Sequence, residues 1–302
     1  MLKGIAAGLA AGALWALVFL APSMVYGMSA VDLTAGRFLS YGALSLCLML
    51  VMRKSVWPNA RQALAAAGMS VLGYSGYYLL LVLAIRDAGT VVPSLVIGTI
   101  PIWMLLLGRP THLRIGALLP GLLLTAMGLG LMVFSSLGSA NAADILGVPN
   151  FWRGAVFSVA SMALWTAFGL LNAAWLKLHP EVSAMTWANW LGIATGLGAL
   201  LLWMAAGSDV KVLLAQPERA WTVTLLIATG LGSGWLATLL WNVASQRLSA
   251  SLCGQLIVSE TIFALLYSFV YSGQWPATTQ LVAAVFFVAG ILASTRAHHQ
   301  LD

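Results

Sequence analysis

Charge is what this chain has least of. Only 7% of its 302 residues are Asp, Glu, Lys or Arg, whereas a soluble domain keeps about a quarter of its residues charged so that water can solvate its surface. With 61% hydrophobic residues and a mean hydropathy of +0.95, the chain cannot cover itself, and its solvent is largely lipid. Cysteine is nearly missing too. Cys47 and Cys253 both fall inside long apolar runs, so the pair points neither to a disulfide framework nor to a metal site. The four histidines, at 112, 179, 298 and 299, fall in loops or in the tail. No G-x-x-x-x-G-K-[ST] stretch occurs, which removes ATP drive within this chain.

What is present is length without interruption. A helix crossing a bilayer needs about 20 apolar residues. Ten runs qualify, near 3–22, 32–52, 63–85, 90–107, 114–134, 153–175, 184–206, 220–245, 248–271 and 278–296. They are too long, and too free of alternation, for a membrane barrel. The N-terminal run could pass for a signal peptide, but nine more runs follow it, and a first transmembrane helix is the better reading. The Gly/Ser/Ala-rich stretch 135–150 is a loop. The fold class expected is therefore an all-α integral membrane protein with ten transmembrane helices.

The net charge of +6 invites a nucleic-acid reading, but its distribution argues for topology. With the N-terminus inside, Lys3, Arg53, Lys54, Arg61, Arg109, Arg114, Lys177, Arg247 and Arg296 face the cytoplasm. Arg86, Arg153, Lys211 and Arg219 face out, and Arg37 lies within a span. Nine against four obeys the positive-inside rule and puts both termini in the cytoplasm. No nucleic acid partner is expected, and no cofactor.

The first and sixth runs align without a gap, KGIAAGLAAGALWALVFLAP over RGAVFSVASMALWTAFGLLN. Gly4/Gly154, Ala10/Ala160, Ala13/Ala163, Leu14/Leu164, Trp15/Trp165 and Leu20/Leu170 are identical. A weaker echo lays TIPIWMLLL (99–107) over SETIFALLY (259–267). These parallels suggest two five-helix repeats, 1–150 and 151–302. Five is odd, so the second copy enters the membrane inverted, as in many secondary transporters whose site lies between the halves.

Five plus five spans, Arg37 early in the second, Pro101 in the fourth and the SETIF stretch around Glu260 in the ninth resemble the EamA-type drug/metabolite transporter superfamily. The stretch SETIFALLYSFVYSGQWP looks most like its aromatic amino acid exporter branch, although Thr261 stands where many members carry a proline after the glutamate. The resemblance implies export of amino acids, aromatic or large apolar ones, across a bacterial inner membrane by alternating access. The cargo is a small molecule; the other partner is the bilayer.

Site candidates come from helical spacing and depth. Trp57, Trp152, Trp175, Trp203, Trp221 and Trp275 sit near span ends and fit the aromatic belts at lipid headgroups. Trp15, Trp103, Trp165, Trp187, Trp190, Trp235 and Trp241 are deeper. Tyr74, Tyr77 and Tyr78 share one face of span three, Ser158, Trp165 and Asn172 one face of span six, and Trp235, Thr238 and Asn242 one face of span eight. Rings mixed with a few amides and hydroxyls suit a cavity for an amphipathic solute. Trp15, Tyr74, Tyr77, Tyr78, Trp103, Trp165, Asn172, Trp235, Thr238, Asn242, Arg37 and Glu260 are the substrate-binding candidates.

Glu260 is costly where it stands, at about 2.5–3.5 kcal/mol for a charge at a helix centre. At 1.5 Å rise per residue, Arg37 lies about 7 Å below the outer surface and Glu260 about 18 Å above the inner one. Across a core of about 30 Å their depths differ by about 4–5 Å. They are placed to pair, or to clamp a zwitterion; the alternative has Arg37 reaching outward and Glu260 protonated or bonded to Ser259 or Thr261. Gly73-Tyr74-Ser75-Gly76 resembles an intramembrane protease motif, but with no histidine in reach it reads as a packing patch. An enzyme is not expected, since Glu260 has no second deep acid. Gly4, Gly8 and Gly12 form a strip for close helix approach. Broad export of drugs or metabolites is the alternative function.

Overall fold

The computed structural model describes residues 1–20, 24–25, 28–52, 56–89, 91–111, 113–137 and 150–299, and among these every regular element is a helix. Most of the loop at 135–150, with Arg53, Lys54 and His112, lies outside the described residues. The elements are α1 (Leu2–Leu20), α2 (Ala30–Val51), α3 (Ala60–Ala88), α4 (Val91–Ile97), α5 (Ile100–Leu107) and α6 (Ile115–Leu137). After the loop come α7 (Phe151–Leu178), α8 (Ala184–Ala206), a short α9 (Val210–Leu214), α10 (Arg219–Arg247), α11 (Ala250–Ser272) and α12 (Thr278–His299). Eight of these, α2, α3, α6, α7, α8, α10, α11 and α12, are long and apolar enough to cross a membrane. Local chemistry starts several of them. The side chains of Ser29, Ser183 and Ser249 each accept a backbone N–H of the first turn, and Asn59 and Gln62 form a reciprocal capping box. His298 belongs to the buried end of α12, with Nδ1 against the Ser294 carbonyl at 2.7 Å, and not to a free tail as expected.

The fourth expected span is broken, and Pro101 explains why. It stands in the first turn of α5 and has no N–H to offer the carbonyl of Ile97. The chain turns at Gly98–Thr99 instead, where Thr99 Oγ1 donates to the Val96 carbonyl at 2.7 Å. Two further irregularities were not read from sequence. Val71–Ser75 in α3 and Gly230–Leu236 in α10 are π-turns, each preceded by 11 residues of α-helix within a 29-residue span. Such turns widen the helix by a residue and are frequent at functional sites. Gly73-Tyr74-Ser75 lies inside the first, and Gly73 does make room for the Phe168 ring, as a packing patch would.

Two antiparallel pairs meet through glycine. On α2 and α8, a Cβ on Gly42 would lie 2.7 Å from Gly196 Cα and 3.0 Å from Gly192 O, and one on Gly196 would lie 2.9 Å from Gly42 Cα. Further along the same pair, Asp32 accepts the Ser208 backbone N–H at 2.8 Å and its hydroxyl at 2.6 Å. On α6 and α12, a Cβ on Gly121 would meet Gly290 O at 3.2 Å and one on Gly290 would meet Gly121 O at 3.3 Å. Each contact is nearly reciprocal. The strip on α1 packs as small residues should: Gly4 faces Leu248, Gly8 faces Leu256, and Gly12 faces Ser259 and the Glu260 backbone. At the end of α3, buried Asp87 holds Arg153 of α7 by two hydrogen bonds, of 2.6 and 3.1 Å, and its neighbour Arg86 by one.

Candidate functional site

Arg37 is the centre of the candidate site. Its guanidinium lies 4.6 Å from the centroid of the Phe38 ring, and its Nε is buried without a hydrogen-bond partner among the described residues. The ionisable side chains within electrostatic reach of it are Tyr78, Tyr77 and Tyr74 of α3 and Glu260 of α11. The tyrosine face read from spacing thus turns toward Arg37. Tyr74 is buried, with its hydroxyl 2.7 Å from Thr238 Oγ1 of α10. Tyr78 donates to the Ala30 carbonyl at 3.2 Å. Ser161 of α7 donates to the Tyr77 carbonyl at 2.9 Å.

Glu260 stops short of a salt bridge. Among the described residues the ion pairs are those of Asp87 with Arg86 and Arg153. Glu260 is within electrostatic reach of Arg37 and of Tyr77. No described residue donates a hydrogen bond to its carboxylate, and the expected alternative partner is engaged elsewhere: Ser259 Oγ bonds the Leu256 carbonyl at 2.7 Å. Because Gly12 lets α1 come down on the Glu260 backbone, that side of the helix is closed by main chain. An arginine and a glutamate within the bundle, neither in an ion pair among the described residues, are the main chemical feature of this region.

Beside them runs an aromatic wall. Trp15 and Trp165, aligned with each other in the two halves, meet edge to face at 6.0 Å between ring centroids. Trp241 of α10 closes a triangle with them, at 5.3 and 5.9 Å. Phe168 links Trp165 to Tyr74, at 6.0 and 5.5 Å, and Phe38 and Tyr41 extend the set on α2. Trp241, Phe168, Phe38 and Tyr41 were not among the sequence candidates. A signal existed for two of them, since Trp241 follows Thr238 by one helical turn and Phe38 adjoins Arg37.

Four candidates have their polar groups engaged by surroundings other than the Arg37 region. Trp103 is 43% exposed and bonds only within its own helix, to Thr99 Oγ1 at 3.2 Å. The buried face of α5 is made by Ile100, Pro101, Met104 and Leu105, so Trp103 points away from the tyrosines. Asn172 and Asn242 are fully buried and spend their amides on each other and on packing partners. Asn172 Oδ1 accepts the Trp187 indole N–H at 2.7 Å, its Nδ2 donates to Asn242 Oδ1 at 3.2 Å, and Asn242 Nδ2 donates to the Ala184 carbonyl at 3.4 Å. These bonds tie α7, α8 and α10 together. Trp235 likewise donates to Asn189 Oδ1, at 2.7 Å. Trp175, expected in the headgroup belt, instead stacks on Trp187 at 3.7 Å and on His179 at 4.2 Å.

Replacing Asn172 by Ala strands the Trp187 N–H and one Asn242 group in an apolar interior, an expected cost of about 1–3 kcal/mol. A lowered melting temperature with unchanged cargo affinity is the outcome that separates this bracing role from a binding one. An apolar groove of about 460 Å³ along the outer side of α7, lined by Trp152, Ala155, Val156, Val159, Ala160 and Ala163, offers no group to orient a polar solute.

The comparisons with known proteins follow from this architecture. The chain is 30% identical over 315 residues to the inner membrane protein YtfF of Escherichia coli (strain K12), covering 98% of this chain and 96% of that one. A solved crystal structure superposes with a TM-score of 0.73 at 20% identity, over 97% of this chain and 98% of its own, a likeness of fold. No family model matches the chain.

Proposed function

The chain belongs to the family of the Escherichia coli inner membrane protein YtfF, and from that membership and the site we propose that it is an inner membrane secondary transporter that exports amino acids, aromatic or large apolar ones, by alternating access. Both termini lie in the cytoplasm in this reading. Ten membrane segments are counted by adding α1 and the broken α4–α5 stretch to the eight long helices. The two halves are taken as inverted five-helix repeats. That reading is supported by the antiparallel, reciprocal glycine contacts, by the π-turns at matching places in α3 and α10, and by the meeting of Trp15 with Trp165. In such folds the substrate site lies near mid-depth between the repeats.

The observation that carries the function is the unpaired Arg37 and Glu260 beside a wall of tryptophan and tyrosine rings. An amphipathic solute with a ring or a large apolar side chain fits the wall, and its polar end fits the charges. Trp15, Trp165, Tyr74, Tyr77, Tyr78, Arg37 and Glu260 are the residues assigned to cargo, with Thr238 fixing Tyr74. The test is flux of labelled phenylalanine, tryptophan, leucine and methionine through proteoliposomes holding the full chain. Saturable flux above that of empty liposomes is expected for one or more of the four. Flux equal to that of empty liposomes for all four defeats the amino acid assignment.

A further inference from the structure

We propose that the chain stands open toward the outer side of the membrane, and that the indoles of Trp15, Trp165 and Trp241 top a gate that must part for cargo to enter from the cytoplasm. The inference rests on the transport and topology readings above and adds to them which way the site faces and what closes it.

One face of α11 shows the change from open to sealed. Cys253, Glu260 and Ala264 stand within about 40° of one another around the helix, at about 100° per residue. The other sides of α11 are taken. Leu256 and Ser259 meet the glycines of α1, and Gly254 meets Met104 of α5. Gln255 donates to Thr125 of α6 at 2.7 Å and accepts from Ser294 of α12 at 3.3 Å. The shared face is therefore the one turned to α7 and α10. Along it Cys253 is fully buried, whereas Glu260 and Ala264 are half-buried. The neighbouring helices change in the same direction. The buried residues of α11 all fall between Ser251 and Ser259. In α3, Tyr74 is buried, but no residue from Ser75 to Leu83 is. In α10, Ala237, Thr238, Trp241, Asn242, Ala244 and Ser245 are buried, against Thr222 and Thr229 alone in Arg219–Thr229. The bundle is thus packed shut toward the end that carries Leu2 and His299, and loosened toward the other.

The indole triangle lies at the boundary. Trp15 and Trp165 are half-buried and Trp241 is 1% exposed. Trp241, Leu248, Leu252, Cys253 and Leu256 belong to one apolar core. The triangle crosses a seam, with α1 and α11 on one side and α7, α8 and α10 on the other. The bonds of Asn172, Trp187 and Asn242 all lie within the second side, so those three helices move as a block. Ser233, inside the second π-turn, holds the Leu14 carbonyl across the seam at 2.6 Å and gives it a hinge. The N–H groups of Trp103, Trp187, Trp190, Trp221 and Trp235 all reach oxygen acceptors. Trp241 Nε1 is buried with no partner among the described residues. A stranded donor weakens the closed arrangement, and an acceptor can reach it only when the rings part.

The experiment is labelling of the full chain by a membrane-impermeant maleimide in right-side-out and inside-out vesicles. With Cys47→Ser, Cys253 reports on the gate. With Cys47→Ser, Cys253→Ser and Ala264→Cys, the new thiol reports on the open half of the same face. Ala264→Cys is expected to react at least about tenfold faster from the outer side than from the cytoplasmic side, because labelling follows the populated state. Cys253 should stay protected, with any reaction coming from the cytoplasmic side alone. Trp241→Ala should speed that cytoplasmic reaction at least about tenfold by shifting the population toward the parted form. Phe287→Ala removes a fully buried ring packed against Gly128, away from the seam, and should leave Cys253 protected. Reaction of Cys253 from the outer side overturns the inference, as does Ala264→Cys that is unreactive or reacts equally from both sides. Equal exposure of Cys253 by the two alanine variants, or by neither, also overturns it. Should Trp241→Ala fail to fold, the sidedness of the two reporters decides. Amino acid flux is a separate measurement: one-sided labelling without flux removes the cargo assignment, and flux without one-sided labelling removes the gate.

Discussion

Gly42→Ala is expected to destabilise the protein by about 3 kcal/mol, the upper end of what overpacking a core costs. The reason is the nature of the neighbour. A new methyl group would sit 2.7 Å from Gly196 Cα and 3.0 Å from Gly192 O. Both are backbone atoms of α8, so no side chain can swing aside and relieve the contact. The helices would have to separate, and with them the Ser208 bonds to Asp32. Gly68→Ala in α3 is the matched control, because nothing lies within 4 Å of its Cβ position. There the expected change is a gain of up to about 1 kcal/mol from helix propensity. Thermal denaturation in detergent measures both, and two similar melting temperatures would refute the main-chain contact between α2 and α8.

Arg37→Gln is expected to lower the transport efficiency for phenylalanine by at least about 30-fold, since truncating one partner of a buried charged hydrogen bond costs about 2–5 kcal/mol. Glu260→Gln should act in the same direction on the ammonium end. The decisive measurement is the double variant. If the two groups hold one molecule by its two ends, the losses are not additive, and Arg37→Gln with Glu260→Gln together should cost less than the product of the single effects. Independent, multiplying losses would mean that the charges serve separate purposes. Thermal denaturation of each variant separates a folding defect from a transport defect.

How much of this was legible in the sequence depends on the length scale of the cause. The membrane class followed from composition, because too few charges cannot solvate a surface. The glycine strip on α1 was periodic, and its period survives folding, whereas the tyrosine face is shifted in phase by the turn at Val71–Ser75. Depth arithmetic brought Arg37 and Glu260 to similar levels, but among the described residues no ion pair joins them. What failed was direction within a helix of uniformly apolar residues. Trp103 sits among Ile, Met and Leu, so no polar side marked which way it faced. Asn172 and Asn242 were assigned to cargo because amides orient ligands, but buried amides also brace helices. Only the positions of Trp187 and Ala184 distinguish the two uses. The π-turns left no trace because they arise from the hydrogen-bond ladder, with no residue type that demands them.

The turn at Val71–Ser75 has a consequence for phase. An α-helix advances 100° per residue, at 3.6 residues per turn. The wide turn holds one residue more than the α ladder requires. Everything after it is offset by about that angle relative to Ala60–Ser70. Tyr77 and Tyr78 fall in the offset part, so the spare residue sets the side of the helix on which both phenols stand. Tightening that turn would carry both phenols about a quarter of the way round the helix.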